Sequence, residues 1–200
     1  MTSIKAVPVT WPAEILSFWF GELDPKDWWN GTAALDMICE VRFFELWEEQ
    51  KSKAAASFLT DPDTMLASLI LFDQMPRNMF RGHPDAYSTD LLAQKIAEMA
   101  VERKMDQKLT AKRRVFVYMP FMHGEDIRLQ NRSVAQFRKL GNNEKNAKER
   151  RAMIKKFGRF PHRNKILGRQ AGSSLIPSTM FLRHWSQPLF FFSFLRWPRN

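Results

Sequence analysis

Apolar residues recur at spacings of three and four along almost the whole chain, and this pattern constrains the fold more than any other feature of the sequence. In the segment 37–47 the stripe consists of Met37, Ile38, Val41, Phe44 and Trp47. This spacing predicts a helix that buries that stripe. The segment 65–72 is apolar on nearly every side, which predicts a fully buried helix. Strand-like residues occur only at 115–118, too few to build a sheet, so the sequence predicts an all-α fold of antiparallel helices with short connectors.

Length and composition favour one globular domain. A chain of 200 residues with 44% hydrophobic and 26% charged residues can bury a sizeable core. The single cysteine, Cys39, excludes a disulfide framework and multi-cysteine metal sites, and its place beside Ile38 predicts a core position. Glycine-rich nucleotide-binding motifs are absent from the sequence. No apolar stretch approaches the roughly 20 residues of a membrane span, and residues 1–10 lack the features of a secretory signal. We therefore expect a cytoplasmic protein.

The charge of the chain is distributed unevenly, although the net value is +10. Residues 1–100 carry 8 basic and 15 acidic residues, whereas residues 101–200 carry 23 basic and 6 acidic residues. Attraction between the two halves would pair much of this charge inside one compact domain. A nucleic-acid partner is the alternative, since a basic face is its usual footprint. No helix-turn-helix, zinc-finger or RNA-binding motif supports that alternative, so nucleic-acid binding is not favoured.

Three segments interrupt the helical pattern with a high density of aromatic, proline and charged residues. They cover residues 72–90, 118–126 and 157–169. Asp73 follows directly on the apolar segment 65–72, so we expect its carboxylate to lie in the interior. A buried carboxylate needs a partner, or a shift of its pKa removes the charge.

The third segment carries arginines with no acidic residue beside them: Arg159, Arg163 and Arg169. A guanidinium stays charged, and its planar fork prefers carboxylates and phosphates. We therefore expect an anion to face this segment. The available protein carboxylates are those of Asp73, Asp85, Asp90, Glu125 and Asp126. A bound anionic ligand is the alternative.

The leading functional hypothesis is a helical binding module for an anionic small molecule or an acidic peptide end. Its predicted ligand-binding residues are Asp73, Arg77, Asn78, Arg81, Arg159, Arg163, Asn164 and Arg169. His123 and His162 are expected nearby. The hypothesis rests on the density of arginine among aromatic residues and prolines, and it requires no cofactor.

An enzyme of the hydrolase type is the alternative from a different class. Its candidate catalytic residues are His123, Glu125, Asp126 and His162. In this hypothesis His123 transfers protons together with Glu125 or Asp126, and the arginines hold a carboxylate or phosphate of the substrate. An imidazole that a carboxylate orients can transfer protons near neutral pH. No metal is predicted, because the histidines lack ligand spacing on one helix, and no serine or cysteine motif offers a nucleophile. A third hypothesis pairs every one of these charges inside a protein–protein scaffold.

The motifs in these segments resemble those of a bacterial family, domain-of-unknown-function family 924. The matching stretches are FWFG at 18–21, DQxPRNxxRG at 73–82, TD at 89–90, YxPFMHxED at 118–126 and FGRFPHRNxxLGR at 157–169. They occur in order from about residue 12 to residue 169. The resemblance implies a tetratricopeptide-like, right-handed array of helix pairs, and it implies no established activity.

After Arg169 the chain departs from the family pattern, in which a Ser-Thr pair and acidic residues lead into a closing helix. We therefore divide the chain into a helical domain at 1–169 and an atypical aromatic and basic tail at 170–200 that is not part of the ancestral fold. Residues 170–200 contain no acidic residue. Two interpretations stay open: an ending read in a shifted frame, or a tail that contacts a membrane or a partner surface.

Overall fold

The structure, a computed structural model, describes residues 10–170 and contains no strand among them. The helices are α1 (Trp11–Ser17), α2 (Ala33–Gln50), α3 (Pro62–Leu69), α4 (Met75–Met79), α5 (Asp90–Glu102), α6 (Ala111–His123), α7 (Ile127–Leu140) and α8 (Glu144–Phe157). The prediction of an all-α, single-domain fold is confirmed. The tetratricopeptide-like arrangement stays a prediction. The proposed tail lies outside the described residues, apart from Gln170.

Local sequence signals begin and end several helices. The Asp61 carboxylate accepts hydrogen bonds from the backbone N–H groups of Asp63 and Thr64, both at 2.9 Å, and so caps α3. Helix α7 ends at Gly141, which adopts a left-handed conformation with φ of 76°. These caps satisfy backbone groups that a helix end otherwise leaves without partners.

Helix α3 lies in the centre of the domain and contacts α1, α5 and α6. Its residues from Met65 to Leu69 are buried, as are the residues of the π-helical turn Ile70–Gln74 that joins it to α4. The prediction of a fully buried segment at 65–72 is confirmed. Helices α6, α7 and α8 pack against one another in chain order, so the basic half of the chain forms one side of the core.

The predicted buried stripe of α2 is wrong except at Trp47. Met37 is 63%, Ile38 44%, Val41 80% and Phe44 39% exposed. The helix buries a second apolar stripe, which consists of Leu35, Cys39, Phe43 and Trp47. That stripe brings aromatic rings against Phe18 and Phe80, with centroids 5.0 Å and 4.9 Å from Phe43 and Trp47 respectively. The two stripes share Trp47 and hold one phenylalanine each, so the contacts with Phe18 and Phe80 decide which of them is buried. The predicted core position of Cys39 is confirmed, and burial raises the pKa of its thiol to about 12.

No helix among residues 10–170 is long and apolar enough to cross a membrane.

Candidate functional site

The turn before α4 carries Asp73 into the interior, where it is 1% exposed. Pro76 has no N–H group, so it cannot donate the helical hydrogen bond to the carbonyl of Phe72. The hydroxyl of Thr89 donates to that carbonyl instead, at 2.7 Å. This contact joins the two ends of the first motif segment, because Thr89 directly precedes α5.

Asp73 contacts the imidazole of His123, the last residue of α6. The two carboxylate oxygens lie 2.9 and 3.0 Å from Nδ1 of that ring. Gln74 donates a further hydrogen bond to the same carboxylate, and a guanidinium nitrogen of Arg77 lies 3.6 Å from it. The predicted pairing of His123 with Glu125 or Asp126 is therefore wrong, because the carboxylate that contacts the imidazole is that of Asp73.

These contacts fix the charge states of the pair. Burial raises the pKa of Asp73, but the neighbouring His123 and Arg77 outweigh it, so the pKa lies below its usual range. Burial lowers the pKa of His123 to about 3, against the attraction of Asp73. At neutral pH the imidazole is therefore neutral and donates its Nδ1–H to the carboxylate, which leaves Nε2 as an acceptor.

A second buried carboxylate, that of Asp90, binds two guanidiniums. Arg77 donates to both of its oxygens, at 2.9 and 3.2 Å. Arg163 donates to Asp90 at 3.2 Å and to the backbone carbonyl of His123 at 3.1 Å. Burial raises the pKa of Asp90, and the positive charges of Arg77 and Arg163 oppose that rise. Both oxygens of Asp90 accept hydrogen bonds from guanidiniums, which is the geometry of an ionised carboxylate. Arg163 thus connects the third motif segment to the other two.

Arg150, on α8, is a further cation at this place, and sequence analysis missed it. It is half-buried and has no hydrogen bond or ion pair with any residue from 10 to 170. Its guanidinium carbon lies 5.5 Å from the ring centroid of Phe160. Burial, together with the positive charges of Arg163 and Arg77, lowers its pKa to about 10, so it stays charged at neutral pH.

Two aromatic rings and a second histidine complete the surroundings. The guanidinium of Arg163 lies 4.4 Å from the ring centroid of Tyr87 and 4.8 Å from that of Phe160. Burial and the neighbouring Arg150 and Arg163 lower the pKa of His162 to about 3. Three buried polar atoms here lack partners among the described residues: His162 Nδ1, Arg163 Nε and Asn164 Oδ1.

We call this group of side chains the arginine cluster. Its members are Arg77, Arg150, Arg163, Asp73, Asp90, His123 and His162. At neutral pH its three guanidiniums face two carboxylates, and both imidazoles are neutral. The cluster therefore has one guanidinium more than it has carboxylates. Arg150 forms no ion pair with a described carboxylate, although the charge of the neighbouring Glu149 acts on it.

Other predicted site residues lie in pairs of their own. Arg81 binds Asp36 through Nε and Nη2, at 2.6 and 2.7 Å, and Nη2 also donates to Asn78. Arg169 binds Glu125 at 2.7 Å. The structure does not bring Asn78, Arg81, Glu125 or Arg169 into the arginine cluster.

The remaining predicted residues lie at the surface. Asp126 caps α7 and forms an ion pair with Arg128. Arg159 donates to the backbone carbonyl of Gln170 at 2.7 Å. Asp85 lies beside His83, with 3.4 Å between its carboxylate and the ring Nδ1. None of these contacts involves the cluster.

Two surface cavities lie away from the cluster. One, of about 510 Å³, lies between the starts of α1 and α3, and a smaller one, of about 290 Å³, lies between the start of α3 and Arg113. Neither is lined by a residue of the cluster. Within residues 10–170 no group of three or more His, Cys, Asp or Glu side chains is arranged to hold a metal ion.

Comparison with known proteins shows one family and one solved structure. A family model described as "Bacterial protein of unknown function (DUF924)" matches residues 15–174. The chain is also similar to the solved structure of a protein of unknown function, ATU0120 from Agrobacterium tumefaciens, with 37% identity and a TM-score of 0.76. That match covers 81% of this chain and 92% of the other. No curated protein matches.

Proposed function

Because the chain belongs to the bacterial family of unknown function DUF924, which assigns no activity, we propose from the geometry that it is a binding module for an anionic small molecule or an acidic peptide end. The ligand's anionic group would bind at the arginine cluster. This site differs from the full set predicted from sequence, because Arg150 joins it while Asn78, Arg81, Arg159 and Arg169 lie in other contacts.

The unmatched charge of Arg150 carries this proposal. A half-buried guanidinium has lost part of its hydration, and an uncompensated charge in such a place is costly. A bound carboxylate or phosphate would supply the missing counter-charge, and the guanidinium fork suits its geometry. The ion pairs of Arg77 and Arg163 favour the scaffold hypothesis, but the position of Arg150 does not fit it.

Unpartnered polar atoms beside Arg150 also support the proposal. The Nε–H of Arg163 is a buried donor with no acceptor among the described residues, and Nδ1 of His162 is likewise unpartnered. Buried polar groups in folded proteins are usually hydrogen-bonded. An anion between Arg150 and these two atoms would accept a hydrogen bond from the Nε–H of Arg163, and one from His162 in the tautomer whose Nδ1 carries the proton.

Anion binding is tested by thermal unfolding of the full chain in phosphate, citrate or acetate, with chloride at equal ionic strength as the reference. We expect a stabilising anion to raise the melting temperature by several degrees, because a ligand at about 100 times its Kd contributes about 2.7 kcal/mol. In Arg150→Gln this rise should disappear, because the unmatched cation is gone.

Arg151→Gln is the matched control, since Arg151 lies next along α8 and donates only to Asn131, at 3.4 Å. It should keep the full stabilisation by the anion. Equal stabilisation of Arg150→Gln and the wild type, or no rise beyond chloride for any of the three anions, would contradict the proposed site.

The Asp73–His123 contact favours a second candidate function, acid–base catalysis. A carboxylate that accepts the Nδ1–H of a neutral imidazole orients Nε2 as a proton acceptor. In the hydrolysis of an anionic ester at the cluster, Nε2 would take a proton from water as the oxygen of that water bonds to the phosphorus or the carbonyl carbon. The bond from that atom to the alkoxide leaving group breaks, and the imidazolium of His123 then gives the proton to the alkoxide. Asp73 then takes the orienting role that the sequence assigned to Glu125 or Asp126.

The enzyme is distinguished from the binding module by His123→Gln, assayed on chromogenic phosphate and carboxylate esters. Loss of turnover with retained stabilisation by anions would favour the enzyme. Absence of turnover in the wild-type protein on the whole panel would favour the binding module.

A further inference from the structure

The exposed face of α2 carries a continuous apolar surface. Met37, Val41 and Phe44 follow each other at helical spacing, with Ile38 beside them, and they are between 39% and 80% exposed. We call these four residues the apolar ridge. The opposite face of α2 packs into the core and against α4, so Met37, Ile38 and Val41 face away from the domain. Phe44 lies at the edge of the ridge, where its ring centroid is 6.1 Å from that of Phe80. Contiguous exposed apolar side chains of this size mark an interaction surface.

The border of the ridge is acidic. Glu40 and Glu45 are exposed and form no ion pair with any residue from 10 to 170, and Glu48 lies on the same face of the helix. The occupant should therefore combine apolar and basic side chains. A second copy of the same ridge would bring these glutamates against their own equivalents, and such a like-charge contact opposes association.

We propose that the apolar ridge is the docking surface for residues 171–200 of the same chain. This segment matches the ridge in chemistry: it contains Trp185, Trp197 and the run at 190–192 of three phenylalanines, together with three arginines and no acidic residue. Its aromatic side chains would cover the ridge while its arginines pair with the acidic border. This inference is independent of the proposed anion site.

The covalent connection makes this docking physically favourable. A segment of 30 residues can extend about 100 Å, whereas a domain of this size is about 40 Å across, so the segment can reach any face of the domain. Attachment to the same chain also gives the segment a high effective concentration at the ridge. Weak contacts can therefore hold it there.

The test compares the full chain with Val41→Glu, which places a charge in the middle of the ridge. Leu91→Glu is the matched control, because Leu91 on α5 is 79% exposed and Val41 is 80% exposed. Trypsin cleavage after Arg183 and hydrogen exchange of peptides from 171–200 report on docking. We expect both rates to rise about tenfold in Val41→Glu, which corresponds to about 1.4 kcal/mol of lost docking free energy, and to stay unchanged in Leu91→Glu.

A second variant, Glu40→Lys with Glu45→Lys, tests the charge pairing without changing the ridge, and it should raise the same rates by a smaller factor. Equal rates in the wild type and Val41→Glu would overturn the proposal. A concentration-dependent dimer that Val41→Glu abolishes, with unchanged cleavage of the segment, would assign the ridge to a second copy instead. Binding of the wild type to anionic vesicles, with the segment cleaved at the same rate in Val41→Glu, would assign the segment to a membrane surface.

Discussion

Replacing Asp73 with alanine is expected to lower the free energy of unfolding by about 3–5 kcal/mol, the usual cost of breaking a buried charge pair. The carboxylate is 1% exposed and accepts hydrogen bonds from His123 and Gln74, while Arg77 lies 3.6 Å away. Its removal leaves three buried polar groups with fewer acceptors and raises the unmatched charge of the cluster. Urea unfolding at neutral pH measures the loss.

The exposed Arg81–Asp36 pair supplies the control for this prediction. It has two short hydrogen bonds, yet the guanidinium side chain is 36% exposed. Arg81→Ala should therefore cost about 1 kcal/mol or less. Asp73→Asn removes the charge but keeps the side-chain volume and one acceptor oxygen. It therefore separates the contribution of the charge to the free energy of unfolding from that of the side-chain shape. A loss for Asp73→Ala no larger than that for Arg81→Ala would show that the carboxylate is hydrated in solution.

The stability of the protein is also expected to fall as the pH drops from 7 to 5. His123 and His162 have folded-state pKa values of about 3, because burial opposes their protonation, whereas an unfolded histidine titrates near 6.5. Between these values the unfolded chain binds protons that the folded chain does not, so acid favours unfolding. The loss should be about 2 kcal/mol for His123 by pH 5 and smaller for the less buried His162. The lowered pKa of Asp73 places its own contribution at more acidic pH, where protonation removes the favourable charge of the carboxylate.

Urea unfolding in steps of half a pH unit checks this dependence. His162→Gln should make the slope shallower, and the double variant with His123→Gln should remove most of it. His83→Gln is the control, because the side chain of His83 is 64% exposed and lies outside the cluster. An unchanged slope in the double variant would contradict the assignment of these two histidines as neutral groups in the folded protein.

Burial of Asp73 was predictable because it follows an uninterrupted apolar segment. A helix that is apolar on all sides lies in the core, and the residue that directly follows such a helix is too close to the core to reach solvent within one turn. The prediction that an anion faces Arg163 was also sound, since Asp90 binds it. The partner of His123 was not predictable, because Asp73 is 50 residues away and neighbouring Glu125 and Asp126 offered nearer carboxylates.

The sequence pattern did not predict which face of helix α2 is buried, and it did not predict that Arg150 is half-buried. Helix α2 carries two apolar stripes, and periodicity does not say which of them meets the core. Contacts with Phe18 and Phe80 decide it, and those residues belong to other elements. Arg150 lies in a run of basic residues on α8, and such a run is typical of a solvent-exposed helix face. Its partial burial depends on the later Phe160, which packs beside its guanidinium.

The bonds that Arg163 makes to Asp90 and to the His123 carbonyl have a consequence for synthesis of the chain. Ribosomes synthesise a protein from its N-terminus, so all of α1 to α7 is synthesised before Arg163 is added. Until then Asp90 has only Arg77 as a cationic partner, and the interior around it stays incomplete. A nascent chain released before Arg163 is added would therefore have a less stable core around Asp90. Once the third motif segment is present, Arg163 binds Asp90 and so connects the acidic N-terminal half to the end of the helical domain.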